Sequence, residues 1–192
     1  MAIDKSNGYE ANAVEFSHRR NSSIGVPEVE AWAATLRKGA AVLDVGCGVG
    51  APIGTALARA GCDVYGVDAS AAMIAAFQRQ LPAAHAACEA VEDSTFFNRT
   101  FDGAVCWGLM FLLPLETQRN VIPRVARALK PGGSFLFTSP PLICSWNDAL
   151  TGTLSMSPGA AEYKRILTGS GLTLVRELDD AGDNHYYISI KA

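Results

Sequence analysis

Two periods of apolar residues alternate along the 192-residue chain. Short, β-branched or aromatic runs fall at 41–45 (AVLDV), 63–67 (DVYGV), 84–88 (AHAAC), 101–107 (FDGAVCW), 134–138 (SFLFT), 172–178 (LTLVREL) and 185–190 (HYYISI), and each reads as a strand. Stretches with helical spacing separate most of them. Residues 8–20 form one such stretch. Residues 27–38 form the next, opened by Pro27, closed by Gly39 and carrying Val29, Trp32, Ala33 and Leu36 on one face. Further helices are expected over 51–60, over 71–80 with Ser70 as cap and Pro82 as stop, over 114–129 up to the breaker Lys130-Pro131-Gly132-Gly133, and from Ser157-Pro158 to Gly169 or Gly171. Seven strands alternating with helices predict an α/β fold: a mostly parallel sheet with helices on both faces. The joint 179–184 (DDAGDN) is too short for the crossover of about a dozen residues that a parallel pair needs, so the last strand is antiparallel. That geometry carries Asn184, His185 and Tyr186 to the sheet edge where the preceding strands end. Residues 1–8 look frayed, and 139–156, with Pro140, Pro141, Trp146, Asn147 and Asp148, reads as a substrate-side loop.

The first strand runs into three alternate glycines, Gly46, Gly48 and Gly50, and then a helix. A strand, a glycine turn and a helix N-terminus make a cradle where backbone N–H groups meet a ligand without Cβ obstruction. Asp68, at the end of the second strand, stands where a carboxylate would accept hydrogen bonds from ribose hydroxyls. Gly46, Gly48 and Ala51 also satisfy the loose dinucleotide pattern G-x-G-x-x-A. Asp44 argues against a dinucleotide: a carboxylate beside a pyrophosphate is costly at low dielectric, whereas an ammonium or sulfonium suits it. S-adenosylmethionine is therefore preferred over NAD or FAD.

Composition narrows the partners. Apolar content of 49% and charged content of 18% are globular values. The net charge of −3, from 16 basic and 19 acidic residues with no basic run, gives no stripe for a nucleic-acid backbone. The five cysteines, Cys47, Cys62, Cys88, Cys106 and Cys144, lack C-x-x-C spacing and read as reduced core residues of a cytoplasmic protein. Neither a zinc-type cluster nor G-x-S-x-G is present, and no apolar run reaches the ~18 residues of a membrane span.

With LDVGCGVG, VYGVDAS, FDGAVCWG and LKPGGSFLFTSP in place over roughly residues 38–140, the chain resembles the class I S-adenosylmethionine-dependent methyltransferases, in their small bacterial methyltransferase-domain branch. The resemblance implies a Rossmann-like seven-stranded sheet and S-adenosyl-L-methionine as cofactor. It implies cofactor contacts from Asp44, Gly46, Cys47, Gly48, Gly50, Asp68, Ala69 and Trp107, with Glu89-Ala90 beside the adenine. The family usually has Asp where this chain has Glu89. It further implies that 1–38 is a helical lid segment over a domain at 39–192, with Tyr9, Phe16, His18, Arg19 and Arg20 near the closing surface.

Methyl transfer from a sulfonium is an in-line displacement helped chiefly by alignment, with no metal required. Where the acceptor is a hydroxyl, thiol or protonated amine a base helps, and His185 is the candidate. Tyr9 and Trp107 are candidate walls of the reacting site. A small-molecule acceptor is expected, on a monomer or homodimer. An NAD-dependent oxidoreductase and a non-catalytic S-adenosylmethionine-binding protein remain as alternatives.

Overall fold

The computed structural model describes residues 4–19 and 23–192. Among these, a seven-stranded sheet is built from β1 (Ala41–Val45), β2 (Asp63–Asp68), β3 (His85–Cys88), β4 (Phe101–Cys106), β5 (Leu129–Thr138), β8 (Leu172–Asp179) and β9 (His185–Lys191), in the order β3-β2-β1-β4-β5-β9-β8. The first five strands are parallel, whereas β9 pairs antiparallel with both β5 and β8. The fold is therefore the expected Rossmann-like α/β sheet with an antiparallel last strand.

Alternation along each strand splits the core into two layers. Leu43, Val45, Phe101, Phe135, Phe137 and Tyr187 face one layer, completed by α5 (Leu115–Ala128) and α6 (Ala160–Gly169). Val42, Val64, Val105, Leu136 and Tyr186 face the other, completed by α2 (Val26–Ala33), α3 (Ile53–Arg59) and α4 (Ala71–Gln80). Trp32 belongs to this second layer, where its Nε1 donates to Ser134 Oγ at 2.8 Å. A smaller cluster joins Ala13, Tyr9 and Phe16 of α1 (Tyr9–Arg19) to Met73 of α4.

Three expectations change. The stretch read as a loop is an antiparallel hairpin, β6 (Ile143–Asn147) with β7 (Leu154–Pro158). Its strands are serine-rich and polar, so they lack the apolar run that marks a core strand, and Ser157-Pro158 ends β7 instead of opening a helix. The breaker after α5 lies inside β5, as a register shift in its pairing with β4. Of the five cysteines only Cys47 and Cys106 are buried, and Cys88 is exposed because β3 is an edge strand with nothing beyond it in the sheet.

Candidate active site

The turn after β1 is tied to its neighbour by backbone. The N–H groups of Gly46 and Cys47 both donate to the Val67 carbonyl, at 2.8 and 3.1 Å. Gly46 adopts φ +73°, and a Cβ there would stand 2.8 Å from Leu109 Cδ2, so glycine is required twice over. The Gly48 N–H donates to Asp68 Oδ2 at 2.9 Å, and the Ser70 N–H donates to Asp68 Oδ1 at 2.9 Å. A carboxylate has about four lone-pair positions, so Asp68 keeps acceptor capacity towards the cleft. Burial pushes its carboxyl above the usual aspartate range, opposed by the N–H groups of Ser70 and Gly48.

A cleft of about 270 Å³ opens along this edge of the sheet. Its floor follows the strand order: Glu89 and Glu92 beyond β3, Asp68 and Ala69 after β2, Gly46 and Gly48 after β1, then Trp107, Leu109 and Phe111 after β4. The roof comes from elsewhere: Lys5, Asn7, Tyr9 and Phe16 from the N-terminal segment, and Asp148 from the tip of the β6–β7 hairpin. The two roof pieces meet. The Tyr9 hydroxyl donates to Asp148 Oδ2 at 3.2 Å and the Thr153 hydroxyl donates to the Asn7 carbonyl at 3.2 Å. Glu10 fastens α1 to the floor, accepting from the Ser70 hydroxyl at 2.6 Å and from the Ala72 N–H at 3.1 Å.

Trp107 closes the cleft below. Its Nε1 donates to the Tyr186 hydroxyl at 2.8 Å, which donates to Asp180 Oδ2 at 2.6 Å. The indole lies so close to Gly25 that a Cβ there would come within 2.6 Å of Nε1. At the far end Lys5 pairs with Glu92 at 3.6 Å and with Asp93.

Of the residues expected to contact the cofactor or take part in the transfer, Tyr9, Gly46, Gly48, Asp68, Ala69, Glu89 and Trp107 line the cleft. Five do not. Asp44 is 2% exposed and points to the α3 side of β1, with Oδ2 3.5 Å from where a Cβ on Gly54 would stand, and it is not among the residues lining the cleft. Cys47 turns inward, its Sγ 2.8 Å from a Cβ position on Gly66. Burial, then Asp44 and Asp68, push its thiol well above the usual range, so it stays protonated at neutral pH. Gly50 backs onto Phe77, and the Ala90 carbonyl closes a turn with the Asp93 and Ser94 N–H groups at 3.0 and 2.9 Å.

His185, expected as a base, is the fifth, and the structure places it outside the cleft lining. On β9 it shares the α6 side of the sheet with Tyr187, not the side of Tyr186. Its Nδ1 lies 2.7 Å from Asp179 Oδ1 and its Nε2 3.3 Å from Glu177 Oε1, and Glu177 also holds Lys164 at 2.8 Å. Strand alternation brings Asn184 to the cleft and turns His185 away. Arg19 pairs with Glu15 at 2.6 Å, and Arg20 lies outside the described residues.

Comparison with known proteins decides what this geometry belongs to. Residues 42–133 match a family described as a methyltransferase domain. Magnesium protoporphyrin IX methyltransferase from Synechocystis PCC 6803, solved with bound S-adenosylmethionine, superposes with a TM-score of 0.78 at 17% identity, covering 100% of this chain and 99% of that one. The fold is that of the class I S-adenosylmethionine-dependent methyltransferases. An amino pentose methyltransferase from Micromonospora echinaspora shares this methyltransferase fold with a TM-score of 0.73 at 17% identity, over 95% of this chain and 96% of that one. Malonyl-[acyl-carrier protein] O-methyltransferase from Enterobacter lignolyticus is 32% identical over 103 residues, which is 54% of this chain; the chain spans only 40% of that relative's length.

Within the methyltransferase fold, the residues that sequence reasoning missed sit mostly in the roof. Lys5, Ser6 and Asn7 looked frayed but line the cleft. The signal was present in Asp4-Lys5-Ser6-Asn7-Gly8: Asp4 accepts the Ser6 N–H at 2.9 Å and the Gly8 N–H at 3.0 Å, a side-chain turn that Asp and Gly favour. Leu109 carried no signal beyond its place after β4. Among the described residues no cluster of metal-ligating side chains occurs, and no helix is long and apolar enough to cross a membrane.

Proposed function

We propose that this chain transfers the methyl group of S-adenosyl-L-methionine to a nucleophilic atom of a small molecule. The observation that carries the reading is Asp68: a half-buried carboxylate at a strand end, oriented by the Gly48 and Ser70 N–H groups, facing a cleft floored by Gly46 and Gly48. The cofactor supplies a methyl carbon on a cationic sulfur. Asp68 would accept from the ribose hydroxyls, Glu89 and the backbone after β3 would flank the adenine, and Gly46 and Gly48 would let the amino-acid end approach the backbone. The buried charge of Asp44 beneath the turn favours a cationic ligand and disfavours a diphosphate.

Trp107, Leu109 and Phe111 wall the region beyond the sulfur, exclude water and fix the line of approach, which is the main catalytic lever for such a displacement. The roof made by Tyr9, Asn7 and Asp148 encloses the cleft, which favours a small acceptor over a polymer. His185 has no role in this reading.

Calorimetry with S-adenosylhomocysteine and with NAD tests it. Micromolar binding of the first and none of the second is expected, followed by transfer of a labelled methyl group to an acceptor. Binding of the dinucleotide with no heat from S-adenosylhomocysteine would overturn it.

A further inference from the structure

The strand order sorts the cleft into ends. Glu89 and Glu92 follow β3 at one end, and the β6–β7 hairpin follows β5 at the other, where Phe111 tilts against Trp146 with ring centroids 5.4 Å apart. If the ribose lies at Asp68 and the sulfur near Gly46, the acceptor enters from the hairpin end. The charged groups lining the cleft, among the described residues, are Lys5, Asp68, Glu89, Glu92 and Asp148. Lys5 is the one cation, and it is held at the far end by Glu92 and Asp93. Among the described residues, Asp148 is the one charge at the acceptor end.

The two oxygens of Asp148 differ. Oδ1 accepts from the Leu150 N–H at 3.0 Å, the Thr151 N–H at 2.8 Å and the Thr151 hydroxyl at 3.0 Å, which completes the hairpin turn. Among the described residues Oδ2 accepts one hydrogen bond, from the Tyr9 hydroxyl at 3.2 Å, which leaves it acceptor capacity, and Asp148 lines the cleft. The same cleft is lined by Tyr9, Trp107, Leu109 and Phe111, an apolar and largely aromatic wall that attracts cations and repels no flat hydrocarbon.

We infer that the acceptor is an amine on an apolar or aromatic body, its ammonium anchored by Asp148 Oδ2. This inference rests on the methyltransferase reading. A carboxylate acceptor would meet Asp148 with like charge, and among the described residues no cation stands at that end to offset it. In the proposed transfer the ammonium first loses a proton to solvent. The nitrogen lone pair then forms the N–C bond while the C–S pair returns to sulfur, and the positive charge moves from sulfur to nitrogen. Asp148 stabilises the charge that nitrogen acquires; it is a substrate-binding and positioning group.

The test titrates phenethylamine, 2-phenylethanol and 3-phenylpropanoate into the chain saturated with S-adenosylhomocysteine, by calorimetry. Phenethylamine is expected to bind at least about tenfold more tightly than the alcohol, and the carboxylate not at all. Asp148→Asn keeps an acceptor at Oδ1 for the turn and removes the charge, so it should erase the amine's advantage over the alcohol, both titrated into the variant saturated with S-adenosylhomocysteine. A second readout needs no variant: amine binding should weaken with added salt and alcohol binding should not. Equal binding of amine and alcohol, a salt-independent amine, or discrimination surviving in Asp148→Asn would each overturn the inference and leave the cofactor reading intact. Failure of S-adenosylhomocysteine to bind would instead overturn the parent reading and this one with it.

Discussion

The floor of the cleft and its roof are held by different bonds. In the floor, backbone meets backbone or a half-buried carboxylate: Gly46 and Cys47 on Val67, Gly48 and Ser70 on Asp68. These groups sit at the ends of two parallel strands, β1 and β2, in the middle of the sheet. In the roof, single side-chain hydrogen bonds join segments far apart in the chain, Tyr9 to Asp148 and Thr153 to Asn7, at the solvent boundary. A net hydrogen bond of that kind is worth about 1 kcal/mol, little enough to break and remake as ligands pass. The floor is built to stay and the roof to yield.

The harshest way to break that contrast is Gly46→Val. Its Cβ would collide with Leu109 and its φ is left-handed, so the loss should be roughly 3 kcal/mol, a melting temperature about 10 °C lower, with S-adenosylhomocysteine binding abolished. Asp68→Ala leaves the strands in place but removes the ribose acceptor and strands two N–H groups; calorimetry should show affinity falling roughly 100-fold. In the roof, Thr153→Val combined with Tyr9→Phe should leave the melting temperature within about 2 °C and raise the off-rate of S-adenosylhomocysteine roughly three- to tenfold, read by stopped flow.

Acid sharpens the comparison because the two halves respond with opposite sign. The bond from Ser70, then that from Ala72, holds the Glu10 carboxyl below its ordinary 4.5, so the anchoring of α1 is complete above that value and fades as pH falls through the lower folded value. Burial raises Asp68 above its ordinary 3.8, so the folded chain takes up that proton before the unfolded chain does, and ionising it costs stability above 3.8. Cofactor affinity should accordingly start to decline on acidification while Glu10 still holds α1, a sequence that binding and hydrogen exchange at Ala72 would resolve. The smallest effect is expected of His185→Gln: with the ring held by Asp179 and Glu177 outside the cleft, turnover should change less than about twofold.

The same contrast explains what could be read from the sequence. Asp68, Gly46 and Gly48 announce themselves because strand, turn and acid are local patterns with fixed spacing. Ser70 as the cap of α4 was legible for the same reason: its hydroxyl accepts the Met73 N–H at 3.0 Å. The Tyr9–Asp148 contact spans 139 positions, and no local pattern encodes such a pairing. His185 shows a subtler limit. Sequence placed its strand at the right edge, but which of two successive side chains faces the cleft depends on register, and a shift of one residue exchanges them.

The three tryptophans happen to sample three environments. Trp32 is sealed in the core against Ser134, Trp107 lines the cleft with its nitrogen tied to Tyr186, and Trp146 rides on the hairpin against Phe111. The protein thus carries its own optical instrument: an internal reference, a gauge of cleft occupancy and a gauge of hairpin position. Two single replacements by phenylalanine would separate the signals and let filling and closure be timed independently.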